Sequence, residues 1–135
     1  MSEPPQETNA QDFDTEHWPT EIRYISEEKR LEIDFDNGTG FSYPAEFLRV
    51  ESPSAEVQGH GPGQKVLLEG RKHVGIIEIE PVGNYAVRLK FDDLHETGIY
   101  SWQYLYHLGV NQEEIWGEYL AELEHRGLSR EPSRH

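Results

Sequence analysis

Asp92, Asp93 and His95, within FDDLHETGIYSWQY (residues 91–104), are the side chains best spaced to act together. Two carboxylates and an imidazole within four positions suit an acid–base cluster or offer donors to a divalent metal. His60, in VQGHGPGQK, is the second histidine in an unusual setting, because the glycines around it let backbone approach a ligand or partner closely. Those glycines do not form a phosphate cradle, since no GxxxxGK[ST] pattern or following helix accompanies them. A single histidine in a turn is more often structural. In that reading Asp92 and Asp93 turn a strand, Gly98 turns the chain again, and Tyr100 and Trp102 pack a helix on a sheet. His73 precedes a strand, His107 and His125 close helices where an imidazolium suits the macrodipole, and His17 and His135 fall in tails. Ser52 and Ser54 have no base nearby in sequence, and no GxSxG elbow occurs.

Composition narrows the chemistry further. The 135 residues carry 26 acids against 12 Lys and Arg, a net charge of −14, with the basic residues scattered rather than gathered in a stripe. Such a surface repels nucleic acid and anionic membranes, so neither is an expected partner. With no cysteine, disulfides, thiolate metal sites, cysteine nucleophiles and self-held iron–sulfur clusters are excluded. No apolar run approaches the ~20 residues that span a bilayer, and no signal-peptide core is present, which predicts a soluble, cytoplasmic protein. Hydrophobic content is 35%, low for a compact domain. The shortfall is placed in residues 1–20, five acids without a Lys or Arg, expected to form a disordered acidic tail.

The elements that would hold these residues follow from periodicity. EIRYIS (21–26) and KRLEIDF (29–35) alternate as half-buried strands about a turn at Glu27–Glu28. Asp36-Asn37-Gly38 is a second turn, and GFSY (40–43) continues the meander. Pro44 opens a short segment with Phe47 and Leu48 inward, and residues 52–71 read as a loop. VGIIEIE (74–80), a turn at PVGN (81–84) and YAVRLKF (85–91) form a hairpin in which Glu78 and Glu80 face Arg88 and Lys90. Ser101 should cap a helix that Gly109 stops, and Asn111 with Glu114 should form a capping box for a second helix. Ile115, Trp116, Tyr119, Leu120 and Leu123 form its apolar stripe, Gly127 ends it, and residues 129–135 fray. The fold class is therefore α+β: an antiparallel β meander and hairpins followed by two C-terminal helices, a single small domain over 21–128.

FLRVESPSAEVQGHGPGQ (47–64), IEPVGNYAVRLKFDDLHETGIYSWQYL (79–105) and WGEYLAELEHRG carry a family resemblance. They resemble a bacterial family of uncharacterised proteins similar to the N-terminal domain of gamma-butyrobetaine hydroxylase, with HxTGIYSW and LRVESPSAEVQGHG as hallmarks. The resemblance implies an accessory module, since similar domains precede a dioxygenase or accompany a P-loop ATPase of iron–sulfur cluster assembly. It also implies a comparison with structural zinc, held in the hydroxylases by three cysteines and a histidine. The histidine falls on His95, while the cysteines would fall near Ser52, Ser54 and Val57, which cannot supply thiolates. Nothing after residue 105 supplies a dioxygenase fold or its two-His-one-carboxylate triad, so no catalysis is expected. The reading that follows is a non-catalytic, cofactor-free accessory module with a protein partner, placed near metalloprotein or iron–sulfur protein maturation. Its surface would comprise Ser52, Ser54, Gly59, His60, Asp93, His95, Tyr100 and Trp102, joining the 52–63 loop to the 92–102 turn. The alternative is weak Zn²⁺ or Fe²⁺ binding by His60 and His95, assisted by Asp93.

Overall fold

A computed structural model of the protein describes residues 16–58, 65–93 and 96–132. Three strands, β1 (Pro19–Ile25), β2 (Arg30–Phe35) and β3 (Gly40–Pro44), form one antiparallel sheet in that order. Period-two alternation sets the register: Leu31, Ile33 and Phe35 of β2 are buried, with Glu32 and Asp34 between them turned toward solvent. The β2–β3 turn is tied by Asn37, whose Oδ1 accepts from the Thr39 amide at 3.1 Å. Pro44 ends β3 in an extended conformation and leads directly into α1 (Ala45–Val50), whose six residues are all buried. A single turn, α2 (Ala55–Gln58), lies inside the stretch that the sequence marks as loop.

The second sheet runs β4 (Ile76–Val82), β5 (Ala86–Phe91), β6 (Glu96–Ser101), again antiparallel and in chain order. Glu78 faces Lys90 and Glu80 faces Arg88, each pair at 3.2 Å. The hairpin turn is displaced from residues 81–84 because Pro81 and Val82 still pair with Val87 and Ala86. β4 is an edge strand whose register shifts between Ile76 and Glu78.

The third strand of this sheet is the main departure from the sequence pattern. Gly98 makes ETGIYS read as a turn, yet it sits inside β6. A Cβ at this position would lie 2.7 Å from the Ser54 amide nitrogen. Glycine is there for close backbone approach rather than for a change of direction.

Two helices close the fold, α3 (Trp102–Val110) and α4 (Gln112–His125). Ser101 Oγ accepts from the Tyr104 amide at 3.0 Å, the cap the sequence indicates. Gly109 does not stop α3, which continues to Val110. Its missing side chain makes room for the Phe41 ring, which a Cβ would meet at 2.4 Å. Asn111 does not cap α4 either: its Nδ2 donates backwards to the His107 carbonyl at 2.9 Å, so it finishes α3 instead. On α4, Tyr119 and Leu123 are buried with Val50, while Leu120 turns to solvent.

A shared core joins both sheets, α1 and α3: Ile33, Phe35, Tyr43, Phe47 and Leu48 pack with Leu89, Phe91, Tyr100, Leu105 and Leu108. Both ends of the domain extend past the boundaries set by composition. Pro19 and Thr20 already belong to β1, and the Trp18 carbonyl accepts from the Asp36 amide at 2.8 Å. At the other end, the carbonyls of Ser129 and Arg130 accept from the amides of Gly70 and Lys72 at 2.9 and 3.0 Å. Arg130 clamps the buried Glu46 carboxylate with two bonds of 2.8 and 2.7 Å and lies 5.4 Å from the Trp116 ring centre. These contacts hold Ser129 and Arg130, within the stretch 129–135 expected to fray. Among the described residues no helix is long and apolar enough to cross a membrane.

Candidate functional site

A short, fully buried helix leaves its last carbonyls without partners unless side chains reach them. Here two tyrosines do. Tyr100, at the end of β6, donates its hydroxyl to the Leu48 carbonyl at 2.6 Å, and Tyr104, in the first turn of α3, donates to the Glu51 carbonyl at 2.6 Å. Burial holds the Tyr104 phenol well above its ordinary range, with the nearby Glu51 charge adding to the effect. The ring therefore stays a neutral donor. Trp102 Nε1 donates to the Asn84 carbonyl at 3.0 Å, fixing the start of α3 to the β4–β5 turn.

Just beyond α1, Ser52 is fully buried and ties three segments together. Its Oγ donates to Ser54 Oγ at 3.1 Å and accepts from the amides of Ser54 and Gly98 at 3.2 and 3.4 Å. Its carbonyl accepts from Gln58 Nε2 at 2.8 Å, and the Ser54 carbonyl accepts from the amides of Val57 and Gln58. The structure thus brings Ser52 and Ser54 against β6, joining the segment after α1 to the strand that leads into α3.

Burial corrects the expected recognition surface. Ser52 and Tyr100 are 0% exposed and Trp102 is 7% exposed, so none of the three can contact a partner. They are the framework on which a surface is mounted. Gly59, His60 and His95 lie outside the described residues.

Asp93 has a different task from the one its neighbours in sequence suggest. Its Oδ2 accepts from Arg49 Nε at 2.7 Å and lies 3.1 Å from Arg71 Nε. Arg49 is 0% exposed, and a guanidinium in the core requires a carboxylate beside it. Asp93 is therefore the counter-ion of a buried arginine. Arg49 escaped the sequence reading; the signal available was its place among apolar neighbours in FLRV. Among the described residues no group of three or more His, Asp or Glu side chains gathers to hold a metal ion.

On the outer side of the serine–tyrosine junction lies an open groove of ≈ 590 Å³, lined by Pro53, Tyr85, Ile99, Gln103, Tyr104 and His107, with Ser101 at its base. Ile99 is 40% exposed within it. The floor is rigid, since β6 and α3 are fixed by the tyrosine and tryptophan bonds beneath. None of the lining residues carries a permanent charge, in a chain where 28% of residues do.

The two three-stranded antiparallel sheets, the helices that close them and this braced junction define a small α+β domain. Residues 22–106 match the family described as gamma-butyrobetaine hydroxylase-like, N-terminal. The chain belongs to that family. Solved structures are similar to it, and three of them show how far the likeness extends. One protein determined by NMR in solution is 48% identical, with a TM-score of 0.76, over 98% of this chain and 93% of the other. A second NMR structure is 44% identical, with a TM-score of 0.76, over 88% of this chain and 94% of the other. A crystal structure of a protein of unknown function from Acidithiobacillus ferrooxidans, assigned to the DUF971 family, is 38% identical, with a TM-score of 0.57, over 67% of this chain and 91% of that one. No curated protein matches the chain.

Proposed function

We propose that this domain is a non-catalytic accessory module that binds a segment of a partner protein in the groove between Pro53 and α3. The family resemblance supports a setting in metalloprotein maturation. The observation that carries the reading is the groove itself: Tyr85, Tyr104, Ile99 and Pro53 set beside the polar Ser101, Gln103 and His107, without permanent charge, on a floor held by buried hydrogen bonds. Exposed aromatic and aliphatic side chains on a rigid base are the usual anchors of protein recognition, because little ordering entropy is lost when a partner covers them. The surrounding charge of −14 sets the partner's character, favouring a segment that is neutral where it enters the groove and basic at its flanks.

The test is site-specific photocrosslinking in living cells with benzoylphenylalanine at position 103, inside the groove, and at position 28, on the exposed β1–β2 turn. A discrete protein adduct from position 103 that Ile99→Glu abolishes supports the reading. Equal labelling from both positions, or an adduct indifferent to Ile99→Glu, overturns it.

A further inference from the structure

A second cavity lies between the end of α1 and α4 and shares no lining residue with the groove. It is a cleft of ≈ 230 Å³ with apolar walls from Val50, Leu68, Ile115 and Tyr119. Tyr119 closes one side, its hydroxyl donating to the Leu68 carbonyl at 2.7 Å. That volume holds about eight water-sized atoms, the scale of a small organic molecule. At its end sits Glu51, a carboxylate only 7% exposed. Burial holds the Glu51 carboxyl above its ordinary range, Lys65 opposes that shift, and the Glu118 charge adds to it.

A carboxylate buried as deeply as Glu51 requires a cation to stay ionised. In this structure the cation is Lys65, which reaches in from the rim and donates from Nζ to Glu51 Oε1 at 2.6 Å while its side chain remains 49% exposed. The lysine is an alkylammonium with its stem along the cleft and its head on Glu51. The remaining charges that line the cleft are Glu118, Glu122 and Arg126, and Arg126 is spent on Glu122 at 2.8 Å. Three carboxylates against two cations leave the cleft with one negative charge.

We infer that the α1–α4 cleft is a binding site for a small primary ammonium compound with an apolar body, whose head group displaces Lys65 from Glu51. The primary ammonium matters because the 2.6 Å contact is a hydrogen bond that needs an N–H donor. Anionic ligands meet Glu51 and Glu118 and are rejected.

The experiment is an amide NMR titration of the full chain with n-pentylammonium, with 1-pentanol, pentanoate and tetramethylammonium in parallel. Saturable shifts confined to Val50, Leu67, Leu68, Ile115 and Tyr119 are expected with pentylammonium alone. Glu51→Gln should abolish them. Lys65→Gln should tighten binding by about threefold, the scale of releasing a half-exposed ion pair that competes with the ligand. A merely structural Lys65–Glu51 pair would give no such gain. The inference is overturned if pentanol or pentanoate shifts the same amides equally, if no shift saturates, or if Lys65→Gln leaves affinity unchanged or lowers it. Lys65 is on the surface side of the pair, so its replacement keeps the test open even if Glu51→Gln fails to fold.

Discussion

Replacing Gly98 with alanine tests whether the serine–tyrosine junction is set by backbone contact. The new Cβ would lie 2.7 Å from the Ser54 nitrogen, 3.0 Å from its Cα and 3.1 Å from the Pro53 carbonyl carbon. All three are backbone atoms, so no side-chain rotation relieves the overlap. Either β6 or the segment at Pro53–Ser54 must retreat by several tenths of an ångström. Movement there stretches the Gly98 amide contact to Ser52 Oγ, already long at 3.4 Å, and strains the network around that buried serine. Overpacking of this kind costs about 1–3 kcal/mol, and the loss of a buried hydrogen bond adds about 1 kcal/mol. The expected total is about 2–4 kcal/mol, measured as a shift of the urea midpoint at constant slope. Because Pro53 lines the groove, amide shifts at Ile99, Gln103 and Tyr104 should accompany the loss. A Gly98→Ala protein within about 0.5 kcal/mol of the parent, with those amides unmoved, would refute a junction fixed by close approach.

Tyr100→Phe removes one hydroxyl and leaves the Leu48 carbonyl without that donor, so stability should fall by about 1–2 kcal/mol in urea unfolding while the circular dichroism spectrum stays unchanged. Asp93→Ala takes the 2.7 Å acceptor from the buried Arg49 and should cost about 3 kcal/mol, a loss that added Zn²⁺ does not modify if the carboxylate serves the arginine. Arg130→Ala strips both bonds from the buried Glu46 and its stacking on Trp116; a destabilisation of about 2 kcal/mol is expected, exceeded by deletion of residues 129–135, which also removes the acceptors of the Gly70 and Lys72 amides. For Glu51 the sign follows from its raised native pKa: between the ordinary 4.5 and that raised value the folded state holds more proton than the unfolded state, so this group's contribution to stability falls as pH rises. Glu51→Gln removes that slope, and its stability relative to the parent should be highest at neutral pH and decline on acidification, as read by thermal unfolding across the pH range.

The parts of this fold that announce themselves in sequence are those governed by local periodicity. Leu31, Ile33 and Phe35 in β2, and Val87, Leu89 and Phe91 in β5, alternate because one face meets the core. Ser101 caps α3 because the orphan amide it serves is only three residues away. Interactions that span the chain leave no such trace. Tyr100 and Leu48 are 52 positions apart, and nothing local marks that tyrosine as the donor for a helix end. Gly98 and Gly109 look like punctuation, whereas each makes room for a neighbour distant in sequence, Ser54 in one case and Phe41 in the other. Arg49 has a charge that argues for the surface and a position in α1 that argues for the core, and only the proximity of Asp93 decides between them. The same logic moved the candidate site: aromatic residues chosen for chemical visibility, Tyr100 and Trp102, proved structural, and the groove is lined by the less conspicuous Ile99, Gln103 and His107.

The irregularity of β4 carries a consequence for how this molecule keeps company. An exposed sheet edge invites another chain to extend the ladder, through aggregation or strand addition. Here the edge is interrupted by the register shift at Ile76–Glu78, carries Glu78 and Glu80, and contains Pro81, which has no amide hydrogen to offer. A hydrophobic residue as exposed as Ile77, at 63%, is tolerated on such a strand because the surrounding backbone cannot template a regular continuation. Along this edge, therefore, a neighbouring copy finds no regular ladder to extend.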